Sequence, residues 1–151
     1  MRVVTEPTAR ELEAAFALRE RVFVAEQRVP RELERDAWDA TAAHVVVFDA
    51  DAAVATGRVR ILERDGKIER VAVTRDRRGQ GLGRMVMDAL EAHARVLGAT
   101  GLRLAAQASA IGFYQRLGYR AYGEPFVEAG IDHRWMRRPL SAHAARAQRQ
   151  R

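Results

Sequence analysis

The stretch with the most chemical character is Val71-Ala72-Val73-Thr74-Arg75-Asp76-Arg77-Arg78-Gly79-Gln80-Gly81-Leu82-Gly83-Arg84. A strand-like segment runs into glycines at alternate positions, then directly into a helical pattern. Glycine there lets the main chain approach a ligand that a Cβ would keep away. The first amides of a helix have no intrahelical acceptor and converge on an anion. Arg75, Arg77, Arg78 and Arg84 add positive potential. The pattern points to a phosphate or diphosphate, or else to a glycine-rich turn with no ligand. A P-loop needs Gly-Lys-Ser/Thr, which is absent, and the spacing here is Gly-x-Gly-x-Gly rather than the Gly-x-Gly-x-x-Gly of dinucleotide sites.

The other reactive side chains are few. There is no cysteine, hence no thiol nucleophile, no Cys-based metal site and no disulfide. The four histidines, His44, His93, His133 and His143, have no metal-ligand spacing, so no metal is expected. His44 opens a strand and His133 sits in the last one; each suits proton transfer near neutrality or a structural role. His93 falls on the apolar stripe of its helix and reads as packed. Glu26, Glu34, Asp36 and Asp39 form an acidic cluster, which by itself reads as a solvated face.

These groups need elements to hold them. Residues 2–5 alternate weakly as a short strand. Thr8-Ala9-Arg10-Glu11 is a capping box, and the helix after it carries Leu12, Ala15, Phe16, Val22 and Phe23 on one face, ending before Pro30. A short helix and a loop containing Trp38 fill 31–41. Strands follow at 43–48 and 54–62, with Asp65-Gly66 as a hairpin signal, and at 68–74. A helix runs from the glycine loop to about Leu97, with Leu82, Val86, Leu90, His93 and Leu97 inward and Arg84, Asp88, Glu91 and Arg95 outward; Gly98 terminates it. Then come a strand at 101–106, a helix at 108–117 stopped by Gly118, and strands at 119–123 and 131–138. The order β-α-α-β-β-β-α-β-α-β-β predicts an α+β, mixed-sheet fold with helices on both faces, not a doubly wound one.

The chain has 151 residues, suited to one domain, expected over 1–140 with a frayed or disordered basic tail over 141–151. The net charge of +6 is concentrated at the end: five arginines and no acid follow residue 136, and residues 1–136 carry 21 bases against 20 acids. A nearly neutral body argues against nucleic acid as partner; binding through the basic tail alone would be steeply salt-dependent. No apolar run reaches about 18 residues and the first residues lack a signal-peptide core, so the expectation is a cytoplasmic protein with no membrane partner.

Two motifs carry a resemblance. Arg78-Gly79-Gln80-Gly81-Leu82-Gly83 is similar to the Arg/Gln-x-x-Gly-x-Gly/Ala signature of the GNAT N-acetyltransferases, and Ala110-Ile111-Gly112-Phe113-Tyr114-Gln115-Arg116-Leu117-Gly118-Tyr119 resembles that family's second signature. Leu18 to Gln27, Ala55 to Arg60, Lys67 to Val73 and Gly130 to His133 resemble its ElaA/YjcF-like branch. The resemblance ends near Leu140. It implies a central mixed, mostly antiparallel, splayed sheet of 6–7 strands flanked by about four helices.

The resemblance also implies acetyl-CoA as cofactor and direct attack of an amine, of a small-molecule substrate, on the thioester. The cofactor residues it implies are Val71, Ala72 and Val73, pairing with the pantetheine arm, Arg78, Gly79, Gln80, Gly81, Leu82, Gly83 and Arg84 at the diphosphate, and Phe113 and Tyr114. The main chain near Val71 is expected to offer the oxyanion donor. Gln107 stands where many members have Asn. Tyr114 takes the family's general-acid position, or else packs its helix on the sheet. Glu69 takes the position of a catalytic glutamate, sharing a face with Val71 and Val73 by alternation, or else pairs across the sheet with Arg58 or Arg60. Glu26, His44 and His133 are candidates on the acceptor side, where acids would favour a cationic amine. A catalytically silent acyl-CoA sensor is the alternative. A monomer or homodimer is expected.

Overall fold

Residues 1–140 are described in the computed structural model; the tail expected to be frayed or disordered, 141–151, lies outside them. The elements are β1 (Arg2–Val4), α1 (Ala9–Arg19), a π-helical segment (Glu20–Glu26), α2 (Arg31–Glu34), a 3-10 turn (Ala37–Ala40), β2 (Ala43–Asp49), β3 (Ala52–Leu62), β4 (Asp65–Val73), α3 (Leu82–Val96), β5 (Gly101–Gln107), α4 (Ile111–Arg116), β6 (Arg120–Glu128) and β7 (Ile131–Pro139). Among the described residues, seven mostly antiparallel strands and four α-helices make the mixed fold that the sequence predicts, in the predicted order. No helix among the described residues is long and apolar enough to cross a membrane.

The described chain divides into two compact bodies, one of Met1–Arg60 with Ile68–Leu90, the other of Ile61–Lys67 with residues 91–140. In the first, β1, β2, β3 and β4 lie in that order, with Val3 opposite Val47 and Val45 opposite Gly57. Thr8 caps α1 as its sequence requires: its hydroxyl accepts from the Glu11 amide at 3.2 Å and Glu11 accepts from the Thr8 amide at 2.9 Å. Leu18, Val22 and Phe23 then pack on Ala72, and Ala15 packs on Val46 and Phe48. On the opposite sheet face Gly57 lies under α3. A Cβ there would sit 2.8 Å from Val86 Cγ1, 2.9 Å from Leu90 Cδ1 and 3.3 Å from Val71 Cγ2. Val86 and Leu90 are fully buried. Gly57→Ala is therefore expected to cost about 1–3 kcal/mol by overpacking, read as a lower urea midpoint at unchanged slope.

In the second body the order is β5, β7, β6, with Leu104 opposite Met136 and both buried. Ala129-Gly130 closes the β6–β7 hairpin with both residues at positive φ. A register shift between Tyr122 and Phe126 absorbs Gly123 and Pro125 and lets β6 continue to Glu128, beyond the expected end at residue 123.

Three local expectations are corrected. Asp65-Gly66 is not the hairpin turn; that turn is Glu63-Arg64, with Glu63 at φ +58°. Asp65 is held in the strand by Arg103, which donates to it at 2.9 Å. Leu97 lies beyond the end of α3 and is half exposed, His93 is only half-buried, and Met87 and Ala94 complete the apolar stripe instead. Glu91, expected outward, is buried and accepts from Tyr119 Oη and Arg138 Nη1, both at 3.0 Å. Burial, and after it the Glu91 carboxylate, pushes the Tyr119 hydroxyl well above its ordinary pKa.

Candidate active site

β4 delivers the glycine loop. After Val73 the chain makes a 3-10 turn over Arg75–Arg77, passes through Gly79 at φ +80° and Gly81 at φ +81°, and enters α3 at Leu82. Both glycines adopt a conformation that a side chain resists, and a Cβ at either would have nothing within 4 Å. Glycine is required here by backbone twist, and space remains open beside it. The buried Leu82 side chain anchors the first turn of the helix. Arg77 donates to Asp49 at 2.7 Å and to Gln80 at 3.2 Å, which stiffens the loop. Arg78, Gly79, Gln80, Gly81 and Arg84 are exposed. Main-chain donors, open space over the glycines and exposed guanidinium groups fit a diphosphate.

Glu69 is where the structure departs from strand alternation. Arg70 has φ +60°, a left-handed residue inside β4, and it inserts an extra step into the pleat. Val71 lies beside Gly57, on the α3 face. Ala72 packs on α1 and the π-helical segment. Glu69 Oε1 instead accepts from Arg58 Nη2 at 3.1 Å and Arg60 Nε at 2.9 Å. Arg58, next to Gly57, points to the sheet face opposite α3. Glu69 and Val71 therefore do not share a face; the expected alternation fails at Arg70. The ion pair with Arg58 and Arg60 is the cross-sheet pairing that the sequence offered as the other option.

That pair is one edge of a buried charge network. Arg58 also donates to Asp36 and Asp39, at 2.8 and 2.7 Å. Arg19 donates to Asp39 at 2.7 Å and to Glu34 at 2.8 Å. Arg70 donates to the Glu34 carbonyl at 3.0 Å and to Asp36 at 3.3 Å. Arg19, Glu34, Asp39 and Arg58 are buried. Burial raises the Asp39 carboxyl, but hydrogen bonds from Arg19 and Arg58 more than reverse it, and its pKa falls far below the ordinary range. Glu34, Asp36 and Asp39 are thus matched internally by arginine and do not form the solvated face that their clustering predicts. One signal of this was available: Arg19 sits on the apolar face of α1, in line with Leu12, Ala15, Phe16, Val22 and Phe23. Glu26 lies elsewhere, paired through two bonds to Arg78 of the glycine loop.

Trp38 is half exposed, with the Arg60 guanidinium 4.2 Å from its ring centre. His44 is buried against the Phe16 ring edge, with Nε2 2.9 Å from the Asp39 carbonyl. Burial depresses its pKa and keeps it neutral. It braces the backbone of the network at Asp39.

In the second body, Tyr114 is buried on α4 between Phe113 and Tyr119, with edge-to-face ring centres at 5.0 and 5.9 Å. Burial pushes its hydroxyl well above the usual value, so it stays protonated. His133 is buried on β7, stacked on Phe126, and its Nδ1 is 2.7 Å from the Ile131 carbonyl. That contact fixes the proton on Nδ1 in the neutral ring and leaves Nε2 as an acceptor.

Comparison with known proteins shows the family. The family described as "Acetyltransferase (GNAT) domain" matches residues 5–140. The uncharacterized N-acetyltransferase YjcF of Bacillus subtilis is 42% identical over 134 residues, 88% of this chain and 96% of that protein. An acyl-CoA N-acyltransferase structure from Pseudomonas aeruginosa is 31% identical with a TM-score of 0.81, covering 91% of this chain and 99% of that one. Escherichia coli ElaA gives 30% and 0.79, covering 91% and 97%. Matched along almost its whole described length, the chain belongs to the GNAT acetyltransferase family, a family of acyl-transferring enzymes.

Proposed function

We propose that the protein transfers an acetyl group from acetyl-CoA to the amine of a small molecule. The observation that carries this reading is the pair of left-handed glycines, Gly79 and Gly81, opening onto the start of α3. Acetyl-CoA, when bound, supplies an activated carbonyl carbon and a thiolate leaving group. The amides at and after Gly79 hold the diphosphate, with Arg78 and Arg84 adding charge. The main chain of Val71 to Val73 pairs with the pantetheine arm and offers an N–H to the developing oxyanion. Tyr114 holds a proton at its hydroxyl for the departing sulfur. Glu69, fixed by Arg58 and Arg60, accepts through water the proton that the amine nitrogen loses as its bond to carbon forms. Phe113 packs beside Tyr114 and keeps its ring in place.

The test is calorimetric titration with CoA, joined to thiol release from acetyl-CoA across a panel of amines, amino acids, polyamines and peptides. The expected result is saturable CoA binding and amine-dependent thiol release. Gly81→Val forces a β-branched residue to φ +81° and is expected to weaken CoA binding at least about tenfold while the fold is retained. Binding without release for any amine would replace the enzyme by an acyl-CoA sensor. No binding at millimolar CoA would remove the diphosphate reading altogether.

A further inference from the structure

The Glu26–Arg78 pair is built like a ligand contact. Arg78 Nη1 and Nη2 donate to the two Glu26 carboxylate oxygens at 2.6 and 2.9 Å, and Nε donates to the Val73 carbonyl at 3.1 Å. This is the fork geometry by which a guanidinium also takes two phosphate oxygens. The Arg78 side chain is therefore folded back over the end of β4, with three donors already engaged.

Glu26 is held firmly in this position. It ends the π-helical segment, whose last turn is closed by the Gln27 amide donating to the Val22 carbonyl at 3.0 Å. Arg28 at φ +61° and Pro30 then turn the chain away. A π-helical turn of this kind is uncommon and often marks a functional segment. Arg75 adds a further attraction for the same carboxylate. Glu26 thus places a negative charge among the cations of the loop.

We propose that Glu26 is an internal competitor for the diphosphate: it occupies Arg78 in the ligand-free enzyme and yields it when CoA binds. The inference rests on the acetyl-CoA reading above and moves Glu26 from the acceptor side to cofactor exchange. Binding then replaces one anion on Arg78 by another instead of adding a new ion pair. Release of spent CoA is assisted in turn, because Glu26 recaptures the guanidinium as the phosphate leaves.

The experiment measures dissociation constants for CoA and for inorganic diphosphate with the full chain, Glu26→Gln, Arg78→Ala and the double variant. Removing the competing charge is expected to tighten both ligands about two- to fivefold. The same substitution in the Arg78→Ala background is expected to have a clearly smaller effect, because the main coupling runs through that guanidinium and only the attraction of Arg75 remains. Equal or weaker CoA binding by Glu26→Gln would overturn the competition and make Glu26 a positioning residue for Arg78. Absence of CoA binding by the unsubstituted chain would instead overturn the acetyl-CoA reading itself.

Discussion

Tyr114→Phe is expected to lower kcat by about a hundredfold or more while CoA affinity and the urea midpoint stay close to those of the unsubstituted protein. The substitution removes one oxygen and leaves both edge-to-face contacts, to Phe113 and to Tyr119. A thiolate leaves poorly without a proton or a hydrogen bond. The Tyr114 hydroxyl can supply it because burial keeps the phenol neutral well beyond its ordinary range. The direction matters: a raised phenol pKa keeps the acid form through neutral and mildly alkaline pH, so Tyr114 should add no alkaline limb to the rate there. An acyl donor whose leaving thiol is itself acidic should recover part of the lost rate. A kcat within twofold of the unsubstituted enzyme, with the same donor dependence, would reduce Tyr114 to a packing residue.

The elements were legible in the sequence where the determinants are local. Thr8 and Glu11 form both bonds of their capping box, and Gly98 and Gly118 end their helices at positive φ. Gly79 and Gly81 adopt the backbone twist that their spacing implies. The failures share a different cause. Asp65-Gly66 has strong turn chemistry, yet Arg103, distant in sequence, keeps Asp65 in the strand. Glu91 has the look of a surface residue until Tyr119 and Arg138 reach it. The left-handed residue in β4 is Arg70, whose type gives no hint of positive φ, since its hold comes from Leu33, Glu34 and Asp36. That one residue decides which sheet face Glu69 occupies. Twist at the glycines could be read from spacing, and the Glu69 pair as one of two options; the twist at Arg70 and the partners of Arg19 and Arg103 depend on residues distant in sequence and could not.

Those ion pairs carry the largest expected effect on stability. Arg19 is 1% exposed, donates to both Asp39 carboxylate oxygens and to the carboxylate and carbonyl of Glu34, and lies over the Phe16 ring. Arg19→Met keeps much of the stem but leaves two buried acids with too few donors. Breaking one side of such a network costs about 3–5 kcal/mol, because the remaining charges stay desolvated. The contrast is the Arg31–Glu20 pair, whose side chains are 75% and 50% exposed; removing Arg31 should cost no more than about 1 kcal/mol. Urea denaturation of both variants checks the difference, and equal losses would show that the buried network does not hold the first body together. Acid supplies a second readout. The folded pKa of Asp39 lies below its unfolded value, so its contribution is complete above about pH 4 and is lost progressively as pH falls below that. The unsubstituted protein should therefore lose stability steeply on acidification. Arg19→Met should lose less, because a carboxylate deprived of one arginine has less to surrender when it takes up a proton.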